Sequence, residues 1–239
     1  MRANKEMVGK VKIKKWENTR TRFVAFLDIM GFKDLVAKKE HMEVLQIMTE
    51  FLPTIELIQE EYSTKRQESA VKVVTFSDSI ILVSDDNSYD AATLILFWIK
   101  WVMWGAINKG LPIKGAIAWG IQTDDFGKAL HFGKPLIDAQ QLQNELFLYG
   151  VVLHHTMEKY LIDTNMMDEL TGKFIIKCLT PMKTGKITHY LVDWPGFNKD
   201  KDRAPVAVSK LYGTVSGSVR QYVDNTSEFV NMINKKDKN

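Results

Sequence analysis

The sequence predicts an α+β fold, a mostly antiparallel sheet with helices packed on one face. Short β-branched runs end at aspartates or glycines, and longer apolar runs at helical spacing lie between them. Their order is strand, two helices, two strands, helix, strand, short strand, helix, with no repeat or low-complexity tract.

Residues 22–27 form a buried strand that ends at Asp28, with Gly31 three positions later. Leu35, Val36, Met42, Leu45, Met48, Leu52, Ile55 and Ile58 recur at helical spacing, and Pro53 is expected to kink or divide that run. After a polar break at 63–69, residues 71–76 and 80–83 are β-branched runs separated only by Ser77, Asp78 and Ser79. This is a hairpin with an aspartate at its tip. Residues 91–107 form an apolar helix stopped by Lys109-Gly110. A strand over 111–119 ends at Gly120, a loop carries Asp124, Asp125 and Gly127, and a short strand covers 129–132. Gly133-Lys134-Pro135 opens a helix that runs to residue 148, followed by a strand at 151–153 and a helix near 157–160.

Beyond this the texture changes. Residues 173–179 and 186–192 read as a hairpin turning at Lys183-Thr184-Gly185. A break at Trp194-Pro195-Gly196 and a charged loop at 199–203 precede a final amphipathic helix over 215–233. The expected organisation is a basic leader (1–20), a catalytic core (21–165) and a C-terminal hairpin and helix packed on that core (166–239).

Composition narrows the function classes. With 45% hydrophobic and 26% charged residues, the 239-residue chain can bury a substantial core and is not a disordered polymer. A net charge of +3 is too balanced to point to nucleic acid. The basic residues gather at the ends (Arg2, Lys5, Lys10, Lys12, Lys14, Lys15, then Lys235, Lys236, Lys238), as solvated termini do. A single cysteine, Cys178, excludes an intrachain disulfide, and no apolar signal segment follows the basic start, so a cytoplasmic location is expected. Residues 91–107, with Trp98, Trp101 and Trp104 at spacings of three, are short for a membrane span and carry a central lysine, Lys100. A core or dimer-facing helix is the expectation, with no membrane partner.

Two features carry chemistry. In Phe26-Leu27-Asp28-Ile29-Met30-Gly31-Phe32 an acid ends an apolar strand, and in Phe76-Ser77-Asp78-Ser79 an acid sits at a hairpin tip. Singly, each reads as a helix cap or a turn aspartate. If the first strand lies beside the hairpin in one sheet, they project from one edge as a pair of hard oxygen ligands suited to Mn²⁺ or Mg²⁺. Two such ions, about 3.5–4 Å apart, clamp an in-line phosphoryl displacement. The amides of Ile29, Met30, Gly31 and Phe32 at the strand-to-helix turn are placed to meet polyphosphate oxygens, with Gly31 allowing close approach.

These residues resemble the class III nucleotidyl cyclases. Their first metal motif, a strand reading F-x-D-I-x-G-F, matches residues 26–32, and their hairpin acid matches Asp78 without its preceding glycine. A later strand, R-I-G-I-H-T-G, is similar to Lys114-Gly115-Ala116-Ile117-Ala118-Trp119-Gly120, and the next element to residues 133–142. The resemblance spans about residues 22–160 and implies a ferredoxin-like, palm-type fold. Where purine cyclases carry their base-reading lysine and aspartate this chain has Val74 and Leu130, and where they carry the transition-state asparagine and arginine it has Ile137 and Gln141.

That combination is similar to the pyrimidine cyclases of bacterial anti-phage Pycsar systems, with the strings Phe26-Leu27-Asp28-Ile29, Phe76-Ser77-Asp78-Ser79-Ile80 and Gly133-Lys134-Pro135-Leu136-Ile137-Asp138-Ala139-Gln140-Gln141-Leu142. The resemblance implies cyclisation of UTP, less often CTP, two Mn²⁺ or Mg²⁺ ions, and a homodimer with shared sites. It also implies a cyclic-nucleotide-responsive effector downstream. It carries Asp28, Asp78 and the Ile29 carbonyl over as metal ligands. The expected substrate contacts are Met30, Gly31, Phe32 and Ser77. Lys114 is the leading candidate for the catalytic cation, with Arg66 and Lys134 behind it; Tyr62 and Thr75 join Ser77 as base-contact candidates. A catalytically silent homologue that binds nucleotide or dimerises is the alternative.

Other features are set aside. His154 and His155 are adjacent and do not share a helix face, Cys178 lacks a second cysteine, and the Gly213-to-Gly217 stretch lacks a P-loop ending. Asp85, Asp86, Asp124 and Asp125 read as turn and loop acids.

Overall fold

The computed structural model describes residues 16–63, 71–197, 203–213 and 215–236. Its strands are β1 (Thr19–Ile29), β2 (Val71–Phe76), β3 (Ser79–Ser84), β4 (Ile113–Asp125), β5 (Leu130–Gly133), β6 (Val151–Leu153), β7 (Ile175–Met182) and β8 (Gly185–Val192). The helices are α1 (Phe32–Lys38), α2 (His41–Ser63), α3 (Tyr89–Asn108), α4 (Lys134–Glu145), α5 (His155–Asp163), α6 (Met167–Leu170), α7 (Arg203–Lys210) and α8 (Arg220–Lys236). The basic residues of the leader up to Lys15, together with Arg66 and Lys238, lie outside the described residues.

One sheet, in the order β2-β3-β1-β4-β6-β8-β7 with β5 paired to β4, runs through the molecule. All its pairings are antiparallel except β4 with β6. The α+β class and the mostly antiparallel sheet are as the sequence predicts. The C-terminal hairpin continues the same sheet through β6.

β1 lies inside the sheet, between β3 and β4, and its residues 22–27 are all buried, as in a strand covered on both faces. Its unbroken register with β4 sets Arg22, Val24, Phe26 and Asp28 on one face with Gly120, Ala118, Ala116 and Lys114. Helix α4 meets this face at its start, where Pro135 lies against Gly120. On the other face α5 packs through Tyr160, stacked on Trp119 and edge-on to Phe23. Gly115 is demanded by packing: a Cβ there would come within 2.4 Å of Leu27 and 2.6 Å of the Phe26 carbonyl.

Several boundaries differ from expectation. The apolar helical run divides at Lys39, which is extended, and α2 passes through Pro53 as one helix. Strands β1 and β4 are longer than their apolar cores because polar residues continue the pairing. Asp124 is therefore a strand residue rather than a loop acid. It is fully buried, 3.5 Å from Arg22 Nη1, 3.1 Å from His131 Nδ1 and 3.2 Å from Gln122 Nε2. Trp16 closes this cluster, donating from Nε1 to the Asp124 carbonyl and lying under the Arg22 guanidinium. Asp86 is a turn acid as expected, accepting from the Ser88 amide, while Asp125 is the last residue of β4 and accepts from the Lys128 amide in the turn that follows.

α3 is long and apolar enough to cross a membrane, but two-thirds of its apolar window is buried within the fold. Trp98 is buried, Trp101 packs edge-on to Phe197, and Lys100 donates to the Lys173 carbonyl at 3.0 Å with Asp193 3.8 Å away. The lysine that interrupts the apolar run thus ties the helix to the C-terminal half of the sheet.

Candidate active site

Asp28 and Asp78 come together at one end of the sheet. In the β1–β3 pairing Asp28 faces Ser79, and the Ile29 amide donates to the Asp78 carbonyl at 2.9 Å. The β2–β3 connection is only Ser77-Asp78, with Ser77 at φ 56°, the left-handed geometry that two-residue hairpins need. Both acids are half-buried. Burial first, and then the negative charge of Asp78, push the Asp28 carboxyl above its usual range, while Lys114 pulls it back.

Two carboxylates that repel each other at a partly buried strand end fit a divalent cation, whose charge would relieve that repulsion. Among the described residues no three His, Cys, Asp or Glu side chains converge as an all-protein cage. Two acids, the Ile29 carbonyl and substrate oxygens are a donor set suited to Mg²⁺ or Mn²⁺, which keep few protein ligands.

Gly31 turns the chain from β1 into α1 at φ 77°, and a Cβ there would meet nothing within 4 Å. The glycine is needed for its backbone conformation rather than for close packing. The amides expected to meet phosphates are reduced by the fold. Ile29 donates to Asp78 and Met30 donates to the Pro112 carbonyl at 2.8 Å. Neither amide is left for a ligand, which leaves those of Gly31 and Phe32 at the start of α1. Ser77 is exposed at the hairpin tip, as is Thr75 on β2.

Lys114 lies directly opposite Asp28 on β4 and is only 3% exposed. No carboxylate lies within 4 Å of its ammonium among the described residues. Burial, and then neighbouring Lys183, pull its pKa down to about 8 against the pull of Asp28 and Glu145. The β7–β8 turn that carries Lys183 is pinned to the end of α4 by a bond from the Lys183 amide to the Glu145 carbonyl. Tyr222 of α8 places its ring 5.6 Å from the Lys114 ammonium. Lys183, Glu145 and Tyr222 were not singled out from sequence; they lie 31 to 108 positions from Lys114, and only the fold gathers them.

The remaining candidates fare differently. Lys134 is held by both carboxylate oxygens of Asp138 at 2.6 Å, and Arg66 and the Tyr62 side chain lie outside the described residues. Val74 is half-buried on β2, Leu130 and Ile137 are half-exposed, and Gln141 is exposed on α4. His154 caps α5 through Thr156, in keeping with a structural role.

No protein-family model matches the chain, and no curated protein matches it in sequence. Among solved structures, the catalytic core of a rhodopsin-guanylyl cyclase with converted specificity, in complex with ATPαS, superposes at a TM-score of 0.53. The two are 15% identical over 74% of this chain and 98% of that one. A bacterial light-regulated adenylyl cyclase superposes at a TM-score of 0.50 and 13% identity, over 84% of this chain and 58% of that one. The fold is that of a class III cyclase catalytic domain.

Proposed function

We propose that the chain is a nucleotide cyclase that converts UTP, and less readily CTP, to the 3′,5′-cyclic monophosphate and pyrophosphate. The observation that carries the reading is the juxtaposition of Asp28 and Asp78 on a class III cyclase sheet, with Lys114 facing Asp28. The pyrimidine assignment draws on Val74, Leu130, Ile137 and Gln141, which replace the purine-reading and transition-state residues, and on the strings shared with bacterial Pycsar cyclases. A role as second-messenger synthase in anti-phage defence, feeding a cyclic-nucleotide-responsive effector, follows from the same resemblance.

Asp28, Asp78 and the Ile29 carbonyl would hold two Mn²⁺ or Mg²⁺ ions. When bound, these supply Lewis-acid activation of the ribose 3′-hydroxyl and neutralise charge on the phosphates. The chain's own groups orient the reaction. The Gly31 and Phe32 amides receive terminal phosphate oxygens, and Lys114, with Lys183 nearby, supplies the cationic charge that the leaving pyrophosphate requires.

A homodimer fits the surface. Along β4 and β5 the pairing sets Ile121, Leu130 and Phe132 on one face, all exposed, while Gln122 and Asp124 face inward. Phe76, 80% exposed beside the hairpin tip, adds to the apolar surface available to a second copy.

Incubating the protein with UTP and Mn²⁺ tests the reading: cyclic UMP and pyrophosphate should form, and Asp28→Ala and Asp78→Ala should abolish both while remaining folded. The loss of the usual asparagine and arginine at Ile137 and Gln141 favours a second reading, a silent homologue. Mn²⁺-dependent nucleotide binding without turnover would select it.

A further inference from the structure

We propose that Tyr222, on the C-terminal helix α8, is a positioning residue for Lys114, holding its ammonium toward the acid pair where the phosphates of a substrate would lie. The inference rests on the cyclase reading and adds a part of the chain that the sequence set outside the catalytic core.

The Tyr222 ring lies 5.6 Å from the Lys114 ammonium. Tyr149 stacks on it at 5.6 Å and an interplanar angle of 16°, and Phe147 meets it edge-on at 4.5 Å. The ring is therefore held in an aromatic cluster and cannot shift far without disturbing it. α8 is itself docked to that segment. Thr226 Oγ1 accepts from the Tyr149 amide at 2.8 Å, and Asn225 Nδ2 donates to the Phe147 carbonyl at 2.6 Å. Both bonds fall within four residues of Tyr222, so they fasten ring and helix to the segment that joins α4 to β6.

Lys114 needs such a wall. Its side chain is almost wholly buried, with no carboxylate within 4 Å among the described residues. Burial already restricts the stem, so what the ring fixes is the ammonium at its end, and ordering that group before a ligand arrives removes an entropic cost from binding. An aromatic face attracts the ammonium while contributing no negative charge to compete with phosphate. Asp28 and Glu145 attract the ammonium, and Lys183 repels it.

The test uses the full chain, Mn²⁺ and inorganic tripolyphosphate, with affinity read by calorimetry, so that binding is scored apart from turnover. Tyr222→Leu should weaken binding about five- to tenfold, and Tyr222→Phe, which keeps the ring, should recover most of that loss. In a Lys114→Met background Tyr222→Leu should cost less than twofold, because the residue it positions is gone. If Tyr222→Leu does not fold, Asn225→Ala gives the same reading, a two- to threefold loss that vanishes in the Lys114→Met background. Equal losses in the Leu and Phe variants, or a full loss in the Lys114→Met background, would overturn the positioning role. A wild-type protein that binds and cyclises nucleotide while Tyr222→Leu matches it overturns this inference alone; a wild-type protein that does neither overturns the cyclase reading with it.

Discussion

The Ile29 amide and the Asp78 carbonyl are joined at 2.9 Å, a bond that fastens the end of the central strand to the tip of the neighbouring hairpin. It places the two acids side by side by a backbone constraint, independent of either carboxylate. Replacing a carboxylate should therefore leave the frame intact. Asp28→Asn removes a group whose charged form burial and Asp78 both disfavour. Because the folded-state pKa is raised, the stability it lends is complete below the unfolded value and lost as pH rises through the folded one, so at neutral pH the carboxylate is a liability. Asp28→Asn should melt about 1–3 °C higher than wild type without metal at pH 7. Added Mn²⁺ should raise the melting temperature of the wild type only. Differential scanning calorimetry checks both.

The pH dependence of substrate affinity should follow Lys114. Its ammonium titrates at about 8, lowered by burial and by Lys183, so the charge available to phosphate is present below that value and lost above it. KM for the nucleotide should rise as pH passes from 7 to 9. In Lys114→Arg, whose guanidinium stays charged, that rise should disappear even where the absolute rate falls. Steady-state kinetics across this range decides it.

The buried ion pair at the opposite end of β1 should be structural. Asp124→Ala would strand the Arg22 guanidinium in a fully buried position and should cost about 3–5 kcal/mol of stability. The double change Arg22→Met with Asp124→Leu should cost much less, since neither charge remains to be paired. Urea denaturation of the three variants compares them.

Much of this was readable from the chain, and what was not has physical causes. Asp28 and Asp78 stand out because an apolar strand leads into each, and strand and hairpin assignments are local. The extensions of β1 and β4 are hidden because Thr19, Arg20, Thr21, Gln122 and Asp124 break the apolar pattern, and the cluster that Arg22, Gln122 and Asp124 form is one that no local window displays. Pro53 does not divide the run, and the chain separates α1 from α2 at Lys39 instead. The surroundings of Lys114 could not be read at all. Glu145, Lys183 and Tyr222 reach it through α4, a hairpin turn and the C-terminal helix, by contacts that only the closed sheet creates.

Dimer formation should depend on the exposed ribbon face. Ile121→Asp or Phe132→Asp would place a charge on an apolar surface that, in isolation, costs the monomer little. Each should shift the protein toward monomer in sedimentation velocity and lower turnover in parallel, with the melting temperature within a few degrees of wild type.

The central claim is that the acid pair serves a site that does not read purines. It is tested most directly by presenting UTP, CTP, ATP and GTP together with Mn²⁺ and separating the products by mass spectrometry. Cyclic UMP is expected as the main product, with cyclic CMP second and neither cyclic AMP nor cyclic GMP in comparable amount. Cyclic AMP or cyclic GMP as the main product, or no cyclic nucleotide from a folded and metal-bound protein, would contradict it.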